Sequence, residues 1–395
     1  MFHRRPIGLN TLVSEAGNSL ARLNALDGFS RALLVGVVPL LALQALGSKE
    51  AVTNAYLLGS IMTLMITLNF ASLERLLKRR WVLTLGGCFL IIATAVLYFA
   101  NGFEFAIGIG LRSAAASLFS VCLSLYIMDY IGKKDLTRIE SRRMVFNGVA
   151  WLIGPSLGIW LWNNTAPWAP FLMAAVSAVI MLIYFWRLRL GPNIIVTRAK
   201  NPSVNPLKLI PRYFEQPALR IAYLITLSRA AFWVSLFVYG PIYAVEAGFP
   251  PWVAGGLLSF TSGLLFFSPL VKRLSDHFGA KPIIIAGQII TGGAVAGLYF
   301  IGEPQVLGLY FWIIAAVGAV MLDVLGNIPF MRMVKPRERT EMTMIFSTWR
   351  EGAELLTPLT AALILLVAPF EVYYLILGIV LLTAAYASSH LPNRL

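Results

Sequence analysis

Seven charged side chains lie within long apolar stretches of this 395-residue chain. They are Arg31, Arg112, Arg229, Asp323, Arg350, Glu351 and Glu354. A charge inside a membrane-length apolar segment costs about 2.5–3.5 kcal/mol on insertion scales, so such residues usually mark a substrate path or a proton relay. A buried carboxyl can alternate between a protonated form and an ion pair with arginine. The seven side chains are therefore the candidate binding and proton-transfer groups.

Local spacing suggests partners for two of these side chains. Arg31 follows Asp27 by one helical turn and can either pair with it or extend toward the end of its segment. Asp323 has no ionic neighbour in its own segment, so it must pair across helices or hold a proton. Arg112 and Arg229 lie deeper within their segments, which favours a role in lining a cavity over a structural one.

A third group of charges is concentrated in one segment. Arg350 and Glu354 are four residues apart and can pair along a helix, whereas Glu351 and Glu354 are three apart and repel each other. Pairing with Arg350 accounts for one of the two glutamates. The other glutamate is, together with Asp323, the leading candidate for carrying a proton.

The elements that must position these residues are twelve apolar stretches. They cover residues 27–47, 53–72, 81–100, 103–128, 143–162, 167–187, 220–244, 251–271, 281–301, 306–331, 343–367 and 370–390. About 20 apolar residues cross a bilayer core, and stretches this continuously apolar are too long for the strands of a barrel. The pattern predicts an all-α integral membrane protein with twelve transmembrane helices.

Positive charge falls into every second gap between these stretches. The basic gaps are 75–80, 133–143, 187–220, 272–281 and 332–339, whereas the other gaps hold one basic residue, Lys49, and five glutamates. Short loops rich in lysine and arginine remain cytoplasmic. This distribution predicts cytoplasmic N and C termini, with no cleavable signal ahead of the first span.

Composition excludes several functional classes. Hydrophobic residues make up 58% of the chain and charged residues 13%, and the net charge of +14 is explained by the basic loops, so we expect no nucleic-acid partner. Cys88 and Cys122 lie inside apolar stretches and are expected to pack there. No phosphate-binding G-x-x-x-x-G-K-[ST] run occurs. We therefore expect neither a cofactor nor a metal site, and we do not expect an enzyme.

The chain divides into two predicted halves joined by a basic, proline-rich linker. The predicted parts are an interfacial N-terminal segment (1–26), two six-helix bundles (27–187 and 220–390), the linker (188–219) and a tail (391–395). Residues 8–26 either form an amphipathic surface helix or extend the first span. The halves repeat weakly, because Gly154-Pro155 corresponds to Thr357-Pro358 and the tripeptide 30–32 to 228–230.

Twelve spans in two parallel halves resemble the major facilitator superfamily over essentially the whole chain. Three local motifs carry the resemblance: the loop after span eight (Asp276, Gly279, Lys281) with its first-half counterpart (Glu74, Arg75), the arginine of span four (Arg112), and the G-P-x-x-G run of span five (Gly148, Gly154, Pro155, Gly158). The resemblance implies that the loops stabilise the outward-open conformation and that spans one, four, seven and ten line a central cavity. The span-five motif is similar to that of proton-coupled antiporters, although it also suits close helix packing.

The resemblance implies a secondary active transporter that works by alternating access in a cell membrane, as expected for a bacterial inner membrane. Proton-coupled export of a small solute is the leading hypothesis, and monomer is the expected state. Uptake by proton symport of an organic solute, with an anion as one option, is the first alternative. A transporter-like accessory or lipid-handling membrane protein is the second. Substrate identity does not follow from the fold.

Overall fold

The computed structural model describes residues 7–130, 136–188, 206–335 and 338–392. All regular secondary structure in these ranges is helical, as the apolar stretches predict. The chain forms two compact units. The first comprises residues 1–47 and 58–200, and the second comprises residues 48–57 and 201–395.

Within its described residues, the first unit contains seven helices, one of which it shares with the second unit. They are α1 (Ile7–Val35), α2 (Val37–Leu46), α3 (Lys49–Leu68), α4 (Phe70–Phe99), α5 (Glu104–Tyr130), α6 (Leu136–Asn164) and α7 (Ala169–Arg187). The segment 8–26 belongs to the same helix as the start of the first predicted span, which itself breaks at Gly36 between α1 and α2. Residues 49–57 of α3 belong to the second unit, so both units share this helix.

The part of the second unit that the structure describes contains ten further α-helices. They are α8 (Pro206–Phe214), α9 (Pro217–Glu246), α10 (Pro251–Gly263), α11 (Ser268–Phe278), α12 (Ala280–Ile301), α13 (Val306–Leu325), α14 (Ile328–Met333), α15 (Arg339–Phe346), α16 (Trp349–Leu365) and α17 (Glu371–Ser389). A 3₁₀ turn over Leu264–Phe267 joins α10 to α11. The predicted linker (188–219) contains the short helix α8, and its last three residues belong to α9.

Ten helical segments within the described residues are long and apolar enough to cross a membrane. They fall on ten of the twelve predicted spans, whereas the second span (53–72) and the eleventh (343–367) are not among them. In the eleventh span, α16 has 17 residues, fewer than any of the ten segments, and in the second span α3 begins with the charged residues Lys49 and Glu50. The chain is a multi-pass membrane protein, and the count of twelve spans stays a prediction.

The G-P-x-x-G run brings α6 unusually close to α1. A Cβ atom on Gly158 would overlap the carbonyl oxygen of Leu33, and one on Gly154 would press on Ala32. Pro155 and both glycines are buried, and Gly148 lies half-buried one to two turns earlier on α6. In this structure the small residues serve close backbone approach, which is the packing interpretation of the motif.

Candidate functional site

A cross-helix ion pair lies inside the second unit. Arg229 on α9 places one guanidinium nitrogen 3.2 Å from a carboxylate oxygen of Asp323 on α13. The other carboxylate oxygen of Asp323 accepts a 2.9 Å hydrogen bond from the indole nitrogen of Trp233, one turn after Arg229. Arg229 also donates to the Leu322 carbonyl at 3.4 Å. Asp323 therefore has a partner on another helix, which is one of the two arrangements that its sequence allowed.

A third helix contributes an aromatic face to this cluster. The guanidinium of Arg229 lies 4.9 Å from the ring centre of Trp349 on α16, and the guanidinium of Arg350 lies 5.6 Å from the same ring. Such cation–π contacts stabilise a cation without neutralising it. Arg229, Trp233, Asp323 and Trp349 thus form one group, which we call the Arg229–Asp323 cluster.

Solvent access differs sharply between the two charged partners. The Arg229 side chain is 6% exposed, whereas Asp323 is 23% exposed. The carboxylate can therefore meet a proton or a solute while the guanidinium stays enclosed. A buried Nε atom of Arg229 has no hydrogen-bond partner within the described residues. Since a buried donor without an acceptor is costly, this atom retains the capacity to bind a further acceptor.

The first unit holds a second ion pair of a different kind. Asp27 and Arg31 lie one turn apart on α1, and Nε of Arg31 donates to the Asp27 carboxylate at 2.9 Å. Asp27 is 1% exposed and Arg31 is 22% exposed. From α5, Arg112 donates to the backbone oxygen of Arg31 at 2.8 Å. The pairing of Arg31 with Asp27 is confirmed, and the structure brings Arg112 to the same place.

The two pairs occupy matching positions of the internal repeat but use different partners. Arg31 and Arg229 stand in equivalent tripeptides, yet Arg31 pairs within its own helix whereas Arg229 pairs across helices. A pair within one helix moves as a body with that helix. A cross-helix pair, in contrast, changes when α9 and α13 shift relative to each other.

The acids of α16 lie on the same helix as Trp349 of this cluster. Arg350 is exposed, while Glu351 and Glu354 are half-buried in the first turns of α16. Arg350 contacts the Trp349 ring, beside which Arg229 also lies. The proton-carrying role of one glutamate therefore stays a prediction.

The two predicted loop motifs differ in structure. Gly279 joins α11 to α12 with a φ of 88°, a left-handed conformation that explains why glycine stands there. Asp276 is exposed near the end of α11 and forms no ion pair with the described residues. Lys281 lies at the start of α12. In the first unit, Glu74 pairs with Arg79 at 3.0 Å. The side chain of Arg75 lies outside the described residues.

A polar network between the start of α3 and the second half of α9 was not predicted from sequence. Lys49 pairs with Glu246 at 2.7 Å, and its ammonium lies 5.2 Å from the ring centre of Phe370. Thr53 and Tyr239 share a hydrogen bond of 3.1 Å. The Tyr239 ring packs 5.4 Å from that of Tyr373, which in turn bonds Ser235. Hydroxyl residues in apolar segments carry no spacing pattern that distinguishes such a network from ordinary packing.

A further contact fixes the short linker helix to the basic end of the second unit. Arg212 on α8 donates to Glu338 at 2.6 Å, and Gln216 donates to the same carboxylate at 3.0 Å. Tyr213 is fully buried between them and stacks on Phe330 at 6.5 Å. Tyr213 is thus part of the core of the unit, although it lies in the predicted linker.

Neutralising Glu338 should loosen α8. The hydrogen bonds from Arg212 and Gln216 lower the pKa of Glu338 from its ordinary value of 4.5. Because the folded pKa is depressed, this stabilisation is present above about pH 4.5 and is lost as pH falls through the lowered value. At neutral pH we expect Glu338→Gln to speed amide hydrogen exchange over 206–214 by a few-fold, as befits an ion pair that water reaches.

The measurement is hydrogen exchange read by mass spectrometry on both proteins at each pH. Glu215→Gln, which removes an exposed acid next to α8, is the matched control and should leave exchange unchanged. The two proteins should converge as the medium is acidified below about pH 4. Equal exchange in wild type and Glu338→Gln at neutral pH would show that the contact does not hold α8.

No group of three or more His, Cys, Asp or Glu side chains suited to a metal ion occurs within the described ranges. The ionisable groups of the site are instead arginine–carboxylate pairs enclosed by apolar and aromatic side chains. Within membrane-length helices, this chemistry is typical of proteins that move solutes or protons. The fold and the site therefore define the class of helical membrane transport proteins.

The chain belongs to the Major Facilitator Superfamily, whose family model matches residues 20–268 and 252–392. It is a transporter of the secondary-transport kind and not an enzyme. The sequence matches none of the curated proteins with which it was compared.

Solved structures of transporters share the fold. A POT family transporter in complex with 5-aminolevulinic acid is 13% identical, with a TM-score of 0.77 over 98% of this chain and 96% of the other. A D-xylose–proton symporter is 15% identical, with a TM-score of 0.74 over 97% and 99% of the two chains. The nucleoside transporter NupG is 14% identical, with a TM-score of 0.68 over 95% and 99%. At such identities the likeness establishes the fold alone.

Proposed function

We propose that this chain moves a small solute across a bacterial inner membrane by proton-coupled alternating access, and that the Arg229–Asp323 cluster is its coupling group. The supporting observation is the cross-helix pair itself, in which a partly exposed carboxylate neutralises an enclosed guanidinium. An intramembrane carboxyl with one cationic partner has two stable conditions: ionised and paired, or protonated and released.

Protonation of Asp323 changes what Arg229 can bind. The ionised carboxylate occupies the guanidinium at 3.2 Å, whereas the neutral acid carries no charge to hold it. Arg229 would then be available to an anionic or acceptor group of the solute, with the Trp233 and Trp349 rings forming the surrounding wall. Conversely, a cationic solute competes with Arg229 for the ionised carboxylate and is displaced when Asp323 takes up a proton.

These two cases correspond to the two directions of transport. Release of Arg229 by a proton couples binding of an anion to proton binding, which is symport. Competition between a cationic solute and a proton for Asp323 is antiport. The G-P-x-x-G run favours the antiport direction, which we propose as the leading one. Symport is the second candidate, because the first unit adds the guanidiniums of Arg31 and Arg112 against the single Asp27 carboxylate.

Proton flux in proteoliposomes tests this function and its direction. Purified protein is reconstituted with a trapped pH dye, and pools of organic anions, cationic drugs, sugars and amino acids are added outside. We expect one pool to change the internal pH. Alkalinisation of the lumen indicates antiport and acidification indicates symport, whichever way the protein is inserted. Solute uptake without any pH change, measured in parallel with radiolabelled pools, would contradict proton coupling.

A further inference from the structure

A long apolar groove runs along one side of the first unit. It has a cavity volume of about 680 Å³ and lies between α1, α6 and α7. Volumes of about 300–1,000 Å³ are typical of sites that hold small ligands. Its walls are almost wholly apolar, including Phe29 on α1 and Val149 and Ile153 on α6. The groove is separate from the ion pairs described above.

The lining residues follow the axes of α1 and α6, so the groove is continuous along these helices. On α1 it is lined from Arg22 to Phe29, seven residues or about 10 Å at 1.5 Å per residue. On α6 it is lined from Val145 to Ile153, about 12 Å. The side chains on α6 remain open on the outer side, since Val145 is 53% exposed and Ile153 is 48% exposed. The shape therefore suits an extended hydrocarbon chain.

The polar side chains of the lining lie at one end of this groove. Arg22 is the first residue of the lining on α1, and Tyr184 lies one turn before the end of α7. Arg22 is exposed, and none of the described acids pairs with it. In sequence, Val145 and Tyr184 lie close to Arg143 and Arg187, at the edges of two basic gaps that are predicted to face the cytoplasm. At that depth a membrane places the phosphates of its inner leaflet.

We propose that this groove is a binding site for an anionic phospholipid, whose phosphate lies at Arg22 and whose acyl chain lies along Val149 and Ile153. Charge complementarity selects this occupant: an open guanidinium meets the headgroup while the remaining wall offers only apolar contact. Basic pockets between helices on the cytoplasmic side of membrane proteins bind anionic headgroups in this way. Phosphatidylcholine would also fill the groove and carries a phosphate, but its choline cation offsets that charge, so it should be attracted to Arg22 less strongly than an anionic lipid.

Native mass spectrometry of the full chain tests the proposal with phosphatidylglycerol and phosphatidylcholine of matched chains. We expect wild type to retain phosphatidylglycerol preferentially, and Arg22→Gln to lower that preference about fivefold, the effect of one basic residue near an anionic surface. Arg220→Gln is the matched control, because Arg220 is exposed at the equivalent repeat position on α9 and does not line the groove. Its preference should equal that of wild type.

A second variant tests the acyl-chain part of the site. Val149→Trp fills the groove and should reduce the retention of both lipids, while the melting temperature shows whether the protein remains folded. The exposed Arg22→Gln change keeps the test decisive if Val149→Trp does not fold. Equal losses in Arg22→Gln and Arg220→Gln would overturn the proposal in favour of general surface attraction. Equal retention of both lipids, or a dimer seated through this face, would also overturn it.

Discussion

Replacing Asp323 by asparagine should reduce solute-driven proton movement to the level of liposomes without protein. Asparagine has the same shape and can still accept the hydrogen bond from Trp233, now 2.9 Å from the carboxylate. It can neither bind and release a proton nor carry the charge that holds Arg229. Exchange of labelled for unlabelled solute requires no net proton transfer, so in the symport case it should persist, because asparagine resembles the protonated acid. In the antiport case a cationic solute also loses its carboxylate partner, and we expect exchange to fall as well.

A loss of stability could imitate this result and has to be separated from it. Removing one partner of a buried ion pair typically costs about 3–5 kcal/mol, and the 23% exposure of Asp323 places this pair at the lower end of that range. The double variant Arg229→Gln with Asp323→Asn removes both charges and should recover most of the melting temperature. If instability were the cause, proton movement should recover as well; if Asp323 is the coupling group, it should not.

Glu303→Gln is the matched control, because it neutralises an exposed acid in the turn between α12 and α13. It should transport as wild type does. Wild-type proton movement by a folded Asp323→Asn protein would show that coupling lies elsewhere. Glu351 and Glu354 on α16 would then be the next candidates, and the same measurement on their glutamine variants would decide between them.

The second large effect is expected from Gly158→Ala in α6. The new Cβ atom would overlap the backbone carbonyl oxygen of Leu33 on α1, and a backbone atom cannot rotate away as a side chain can. Overpacking a close contact costs about 1–3 kcal/mol and sometimes more. We expect a clear fall in the thermal stability of the detergent-solubilised protein, measured by its melting temperature or by the fraction that stays monodisperse after heating.

Gly293→Ala on α12 provides the matched control. It is also a glycine inside a long apolar helix, but a Cβ atom there meets nothing within 4 Å. Because alanine is favoured over glycine in a helix by up to about 1 kcal/mol, this change should be neutral or stabilising. Equal melting temperatures for the two variants would contradict the close-packing role of Gly158. If the folded fraction of Gly158→Ala still exchanges protons for solute, the motif serves packing rather than the transport step.

Much of the fold followed from the sequence because the membrane restricts the options. Apolar stretches of membrane length predicted an all-helical chain, and within the described residues helices form in all twelve stretches, ten of which hold a segment long and apolar enough to cross a membrane. Of the other two, α16 has 17 residues and α3 begins with two charged residues. Helix boundaries such as the break at Gly36 depend on local packing, and the hydrophobic pattern passes through them without change.

The candidate site was predictable in its members and only partly in its pairings. Charges are so costly in apolar segments that Arg229 and Asp323 stand out from composition alone. The i, i+4 spacing of Asp27 and Arg31 gave their ion pair as one of two options, because a single helix determines that geometry. The sequence did not reveal that Arg229 is the partner of Asp323, since 94 residues separate them and only the packing of α9 against α13 joins them.

The sequence by itself determined that this protein spans a membrane, which of its loops are basic, and which few charges within the spans need partners. The tertiary structure alone decided which residues those partners are. It placed Trp233 and Trp349 beside the Arg229 pair, joined Thr53 to Tyr239, and opened the groove at Arg22. The physical reason is that hydropathy acts on each helix separately, whereas ion pairs, aromatic contacts and cavities exist only between helices that have packed.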